Sequence, residues 1–191
     1  MNFVKEVYTL VNECNDTCRD LASEIRKTER RDDITDKVKR ELKDALKVKQ
    51  TALISDTRQR LRTLKATFKA AAEKASIITP DMNNGDAAIL QSGVVLTGDQ
   101  FENIISRNKT NPFILTLARK YLNEHPDLIA SMPPTYEKAI ENFDNFADAA
   151  YHVVGDDPLS LRSAHLFSGA YDPAGADLVE HITIDASGDA E

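Results

Sequence analysis

Apolar and small side chains open the chain in alternating steps of three and four: Val4, Val7, Val11, Cys14, Cys18, Leu21 and Ile25. That is the a/d seam of a heptad repeat, a narrow stripe that needs a partner surface. The alternation returns at Ile54, Thr57, Leu61, Leu64, Phe68, Ala71, Ala75 and Ile78; between the two runs, Ile34, Val38, Leu42 and Ala45 follow a shifted frame. Residues 3–78 contain neither Pro nor Gly, so neither helix breaker interrupts them. The seam loses its apolar members at Arg30-Arg31-Asp32-Asp33. Two geometries fit. One is a continuous or kinked helix with a frame shift, about 110 Å long at 1.5 Å per residue. The other is a helical hairpin turning near residues 30–34, with Asp33 capping the second arm. The missing Gly and Pro favour the rod.

After this basic helical rod, residues 1–78, the pattern changes. Residues 79–91, with Pro80, Asn83-Asn84-Gly85 and the acids Asp81 and Asp86, read as a linker or loop boundary. Residues 92–155 read as a compact helical module. Thr97 with Gln100 is a capping box, and Leu96 with Phe101 is its hydrophobic staple. Ile104 and Ile105 continue the buried face. Asn108 and Lys109 end that helix, and Asn111-Pro112 caps and starts the next. There Phe113, Leu117 and Tyr121 share a face that Ile114 and Leu122 widen, up to His125-Pro126. Pro133-Pro134-Thr135 opens a last helix with Ile140, Phe143, Phe146, Ala147, Ala150 and Val154 on one side. Residues 156–191 form an acidic, partly ordered C-terminal segment: Asp157 and Pro158 suggest a helix start, Leu178 to Ile184 a short strand, and the end is expected to be mobile.

Charge sharpens this division. The net charge is −7, yet residues 1–78 hold 18 Lys and Arg against 13 acids, and the remainder holds 6 against 18. Nine of the twelve aromatic residues also follow residue 78, which places the denser core there. The basic excess concentrates at Lys37, Lys39, Arg40, Lys43, Lys47, Lys49, Arg58, Arg60, Arg62, Lys65 and Lys69, a candidate polyanion contact. The competing account is the solvated outer face of a coiled coil. A third is internal: the acidic part folds back on the basic rod or docks on a neighbour's.

The helix pair spanning residues 98–124 is compatible with a helix-turn-helix that presents Thr116, Arg119, Lys120 and Asn123. Two cations within an acidic region are few for a DNA reader, which favours a structural helical corner. The order Leu90, Ser92-Gly93, Leu96-Thr97, Gln100 and Asn111, behind a charged helical rod, resembles small proteins encoded in the structural-gene regions of phages and prophages of Gram-positive bacteria. The resemblance covers residues 87–122. It departs at Gln100, where the family usually has Glu, and at Pro112-Phe113, where it often has Thr-Met. It implies a role in virion structure or assembly, with the protein itself or other virion proteins as partners, and it transfers no catalytic residue.

Other constellations have plainer readings. Cys14 and Cys18, one turn apart, would need further ligands to hold zinc, and they lie on the seam, where Cys acts as a small apolar residue. His125, His152, His165 and His181 form no ligand pair at helical or hairpin spacing. Asp156-Asp157 suits capping better than acid catalysis, and Asp172 to Glu180 lacks the EF-hand spacing. The sequence holds no Gly-rich phosphate loop, nucleophile elbow or metal-hydrolase motif, so neither an enzyme nor a cofactor is expected. No apolar run approaches the roughly 20 residues of a membrane span. The first residues lack the pattern of a signal peptide, and two cysteines suggest a reducing compartment, so the sequons at Asn15 and Asn108 carry no meaning. The expectation is a mainly α protein of the virion or host cytoplasm, self-associating through the seam. The alternative is a nucleic-acid-binding or regulatory helical dimer.

Overall fold

A computed structural model describes residues 2–155 and 174–179. It is mainly helical, with no strand among the described residues. The helices are α1 (Phe3–Glu29), α2 (Asp36–Ala75), α3 (Gly85–Gln91), α4 (Gly98–Arg107), α5 (Pro112–Glu124) and α6 (Tyr136–Val153), with short 3-10 turns at Pro80–Met82 and Ala176–Val179. The described residues fall into two compact units: a hairpin unit of residues 2–66 with 143–155, and a corner unit of residues 67–142 with 174–179. The boundaries differ from a rod, a linker and a module, because α6 contributes its second half to the hairpin unit.

In the hairpin unit the rod folds back on itself. The Lys43 ammonium lies 2.6 Å from the Glu29 carboxylate, whereas fourteen residues of uninterrupted helix would separate them by about 21 Å. No Gly or Pro makes the turn. Where the seam runs into charged residues, continuing the helix buries nothing, and local bonds take over. Arg31 chelates Asp33 through Nε and Nη2 at 3.0 and 2.7 Å. The cap of α2 is Thr35 rather than Asp33: its hydroxyl accepts from the Val38 amide at 3.4 Å and its carbonyl from Lys39 at 3.0 Å. The continuous rod is thus corrected to a hairpin.

The second half of α6 lies against both arms. Phe3 meets Phe143 edge-on at 6.0 Å and Tyr8 meets Phe146 at 5.3 Å, while Asn15 reaches the far end of α6 at Val153. Lys65 meets Asp144 and Asp148, and Arg58 meets Val154. Hence α6 runs parallel to α1 and antiparallel to α2. Packing against two neighbours requires a wider apolar face than a two-stranded seam. Phe3 and Leu10 are accordingly buried beside Val7, Val11, Cys14 and Cys18, while Val4, Leu21 and Ile25 are half-buried. Leu61 and Leu64 on α2 are buried as well, and Phe68, in the corner unit, is also buried. Burying each large apolar side chain contributes about 1.5–3 kcal/mol. Most of the seam is therefore covered within one chain, with Val4, Leu21 and Ile25 only partly so.

The end of α6 is clamped. Asn15, 2 % exposed, donates through Nδ2 to the Val153 carbonyl at 3.2 Å and accepts the Gly155 amide on Oδ1 at 2.7 Å. Gly155 turns the chain with φ +88, and a Cβ there would lie 2.6 Å from Ile54 Cδ1. Glycine alone suits both demands.

The corner unit is built on α3, α4 and α5, whose core joins Ala87, Leu90, Leu96, Phe101, Ile104, Ile105, Ile114, Leu115, Ala118 and Tyr121. The supposed linker therefore contains a helix, capped by the Asn84 side chain on the Asp86 and Ala87 amides. On α5 the buried face centres on Leu115 and Ala118, and Phe113, Leu117 and Leu122 only flank it. Leu178 and Val179 are buried in a 3-10 turn rather than a strand; the rest of that segment, and the Asp157-Pro158 helix start, lie outside the described residues.

Candidate functional site

The capping and staple residues of the α4–α5 corner have structural work. The Thr97 amide donates to Gln100 Oε1 at 3.0 Å and the Gln100 amide to Thr97 Oγ1 at 3.4 Å, completing the capping box. Leu96 and Phe101 are both buried in the core that the staple implies. Asn111 caps α5 on the Ile114 amide and donates to the Met82 carbonyl at 2.9 Å, with Pro112 at the first helical position. Asn108 is 6 % exposed; it donates to Asp86 at 2.6 Å and to the Ile104 carbonyl, and accepts from Asn84. Arg107 bonds the other Asp86 oxygen at 2.8 Å. These groups tie the α3 start to the α4 end.

The helix-turn-helix reading loses one of its two cations, Arg119, to the fold. Arg119 donates to the Pro133 and Pro134 carbonyls at 2.8 and 3.0 Å, and burial lowers its pKa. Lys120 lies 3.8 Å from Glu124, and Thr116 donates to the Pro112 carbonyl of its own helix.

One loop of this unit is exposed by construction. The Tyr121 hydroxyl accepts the Leu96 amide at 2.7 Å and donates to the Val94 carbonyl at 3.0 Å. The backbone is pinned there while the side chains point away: Val94 is 55 % exposed and Val95 77 %. Ile129 is 92 % exposed, and its carbonyl lies 4.0 Å from the position a Cβ on Gly98 would take. Sequence periodicity does not register these three residues, because apolar residues in short loops carry no period.

The eleven cations divide, ten of them in the hairpin unit and Lys69 in the corner unit. Lys65 bridges Asp148 at 2.8 Å and Asp144 at 3.8 Å, so part of the acidic half does fold back on the basic helix. Arg58 and Arg62 carry their guanidinium carbons 4.9 and 5.2 Å from the Tyr151 ring centre, in cation–π range. Arg62 also donates to the Tyr151 hydroxyl at 3.0 Å, and Arg58 to the Val154 carbonyl at 3.4 Å. Arg58 Nε is buried without a hydrogen-bond partner, a cost that the ring face partly offsets. An open cleft of about 710 Å³ adjoins them, lined by Thr51, Ala52, Ile54, Ser55, Asp56, Gln59 and the Arg58–Arg62–Tyr151 group. Lys43 pairs with Glu29, while Lys37 and Lys69 stand 3.9 Å from Glu41 and Glu73. Lys39, Arg40, Lys47, Lys49 and Arg60 have no carboxylate within 4 Å among the described residues.

The remaining candidates are placed plainly. Cys14 and Cys18 are buried free thiols, and burial, with Cys14 alongside, pushes Cys18 up to about 11. His125 stacks on Tyr121 at 4.1 Å and bonds its carbonyl at 2.9 Å; His152 is exposed. His165 and His181 lie outside the described residues, as do Asp156-Asp157. Among the described residues no three His, Cys, Asp or Glu side chains converge as metal ligands, and no helix is long and apolar enough to cross a membrane. No protein-family model, no curated protein and no solved structure matches this chain.

Proposed function

We propose that this chain is a non-enzymatic structural or assembly protein of a phage or prophage particle, working by protein–protein docking through its corner unit. The observation that carries the reading is the exposed apolar pair Val94 and Val95 on backbone pinned by the Tyr121 hydroxyl, with Ile129, exposed on a separate loop, as a second apolar knob of the same unit. Single exposed apolar residues are ordinary, but an adjacent exposed pair on hydrogen-bonded backbone suits a protein contact. Val94 and Val95 also sit inside the stretch, residues 87–122, that resembles phage structural-region proteins. The docking partner is another virion protein or a second copy of the chain, held by these knobs rather than by the seam. The test combines two measurements. Mass spectrometry of purified particles is expected to detect the chain. A Val95→Asp/Ile129→Asp variant, with unchanged helicity, is expected to be lost from the particle or from its assembly intermediates. Incorporation of that variant at the wild-type level refutes the proposal.

A further inference from the structure

Seven residues are nearly two helical turns and eleven are three. Arg40, Lys47, Arg58 and Lys65 are spaced by seven, eleven and seven residues, so they form one line along α2. Arg62 flanks that line and is exposed. At its Lys65 end the line already holds anions, the Asp144 and Asp148 carboxylates. Past the end of α6, clamped at Asn15 and Arg58, the same line runs on through exposed Thr51, Lys47 and Arg40. Lys49 and Arg60, eleven residues apart, belong to the opposite side of the helix, as do the exposed apolar side chains Val38 and Leu42.

We propose that this basic line, from Arg40 through Lys47 to the Arg58–Arg62 cleft, binds the sugar–phosphate backbone of nucleic acid. The inference is independent of the docking knob and of the virion reading. Three features select a phosphate backbone over an acidic protein helix. The α6 seat combines charges with buried Phe143, Phe146 and Val153. Beyond α6 the line offers cations together with the hydroxyl and amide groups of Thr51, Ser55 and Gln59; the exposed apolar residues Val38 and Leu42 turn away, and Val48 only flanks it. Arg40, Lys47 and Arg62 also have no carboxylate within 4 Å among the described residues, whereas Lys65, a turn from Arg62, has two. Several carboxylates stand near the line and temper it: Asp36 and Asp44, one turn either side of Arg40, Glu29 across from Lys47, and Asp56 on the cleft rim.

Fluorescence anisotropy with a labelled 20-base-pair duplex, using the full chain, tests the proposal. Three phosphate contacts, at Arg40, Lys47 and Arg62, predict that affinity falls roughly 40-fold between 50 and 200 mM salt. Arg40→Glu/Lys47→Glu is expected to weaken binding at least ~10-fold at 50 mM and to lower the salt slope by about 2. Lys49→Glu/Arg60→Glu makes the same change in net charge on the opposite side and is expected to change affinity less than ~3-fold. Circular dichroism checks that both variants fold. Absence of duplex binding at 50 mM, equal losses in the two variants, or tighter binding of a poly-glutamate probe than of the duplex overturns the proposal.

Discussion

Asn15→Ala is expected to loosen the seat of α6 on the hairpin. The side chain is 2 % exposed and makes two bonds to the end of α6, at 3.2 Å to the Val153 carbonyl and 2.7 Å from the Gly155 amide. Truncation strands a buried donor and a buried acceptor. One unsatisfied group costs about 1–3 kcal/mol, and the second lost bond adds about 1. Alanine returns roughly 0.5 kcal/mol of helix propensity, which leaves a net loss of about 1.5–3.5 kcal/mol. Asn12→Ala, on the same helix but exposed, carries the propensity gain alone and serves as the reference. Urea unfolding followed by far-UV circular dichroism reads the difference, with the slope m expected to stay constant. Asn15→Asp adds a pH signature. It keeps the acceptor for Gly155 but sets a carboxylate against the Val153 carbonyl, so its folded-state pKa rises above the unfolded value near ~3.9. Its extra penalty is absent below that unfolded pKa, grows as pH rises through the interval between the two, and then stays constant. Stabilities of Asn15→Ala and Asn12→Ala within about 0.5 kcal/mol of each other, inside the usual range of inconsequential substitutions, refute the clamp.

Tyr121→Phe removes the hydroxyl shared by the Leu96 amide and the Val94 carbonyl; a loss of about 1–3 kcal/mol is expected, with faster hydrogen exchange at Leu96 by NMR. Unchanged protection there would show that the hydroxyl does not pin the loop. The Asp33 carboxyl is expected to titrate at about 2, held down by its hydrogen bonds from Arg31. Arg31→Ala should return it toward ~3.9 in a carbon-detected carboxyl titration. Because the folded-state pKa is the lower one, any stabilisation is complete above the unfolded value and lost as pH falls toward 2.

The helical corner was legible because its determinants are local. A Thr97 hydroxyl reaches Gln100 within one turn whatever the rest of the chain does, and Asn111-Pro112 marks a helix start on its own. The hairpin was legible only as one of two options. No backbone breaker marks residues 30–35, and the turn is decided by what the arms gain from packing with α6. The seven-residue α3 escaped for a related reason: so short a helix has little intrinsic stability, and it persists because Ala87 and Leu90 join the core. Asn15 was hidden most completely. Its partners are 138 and 140 residues away, and beside an apolar seam an Asn reads as a solvated neighbour. The heptad pattern told correctly that α1 and α2 bury one face, but a seam does not say whether its partner belongs to the same chain.

That last ambiguity decides what the charges are free to do. Had the seam joined two chains, the outer cations would have been the solvated face of a coiled coil. With most of the seam closed internally by α6, one stretch of the basic line is neutralised by Asp144 and Asp148, and the remainder, at Arg40 and Lys47, extends past the last turn of α6. A net charge of −7 does not veto polyanion binding there. Charges more than about 10 Å away are largely screened at 0.1 M salt, so the local surplus sets the potential. Lowering the salt to ~0.01 M extends the screening length to about 30 Å and brings the acidic majority into view. Duplex affinity is therefore expected to rise less steeply below 0.05 M salt than above it. Affinity that keeps climbing with the same slope down to 0.01 M would mean that the acidic residues lie too far from the line to oppose it.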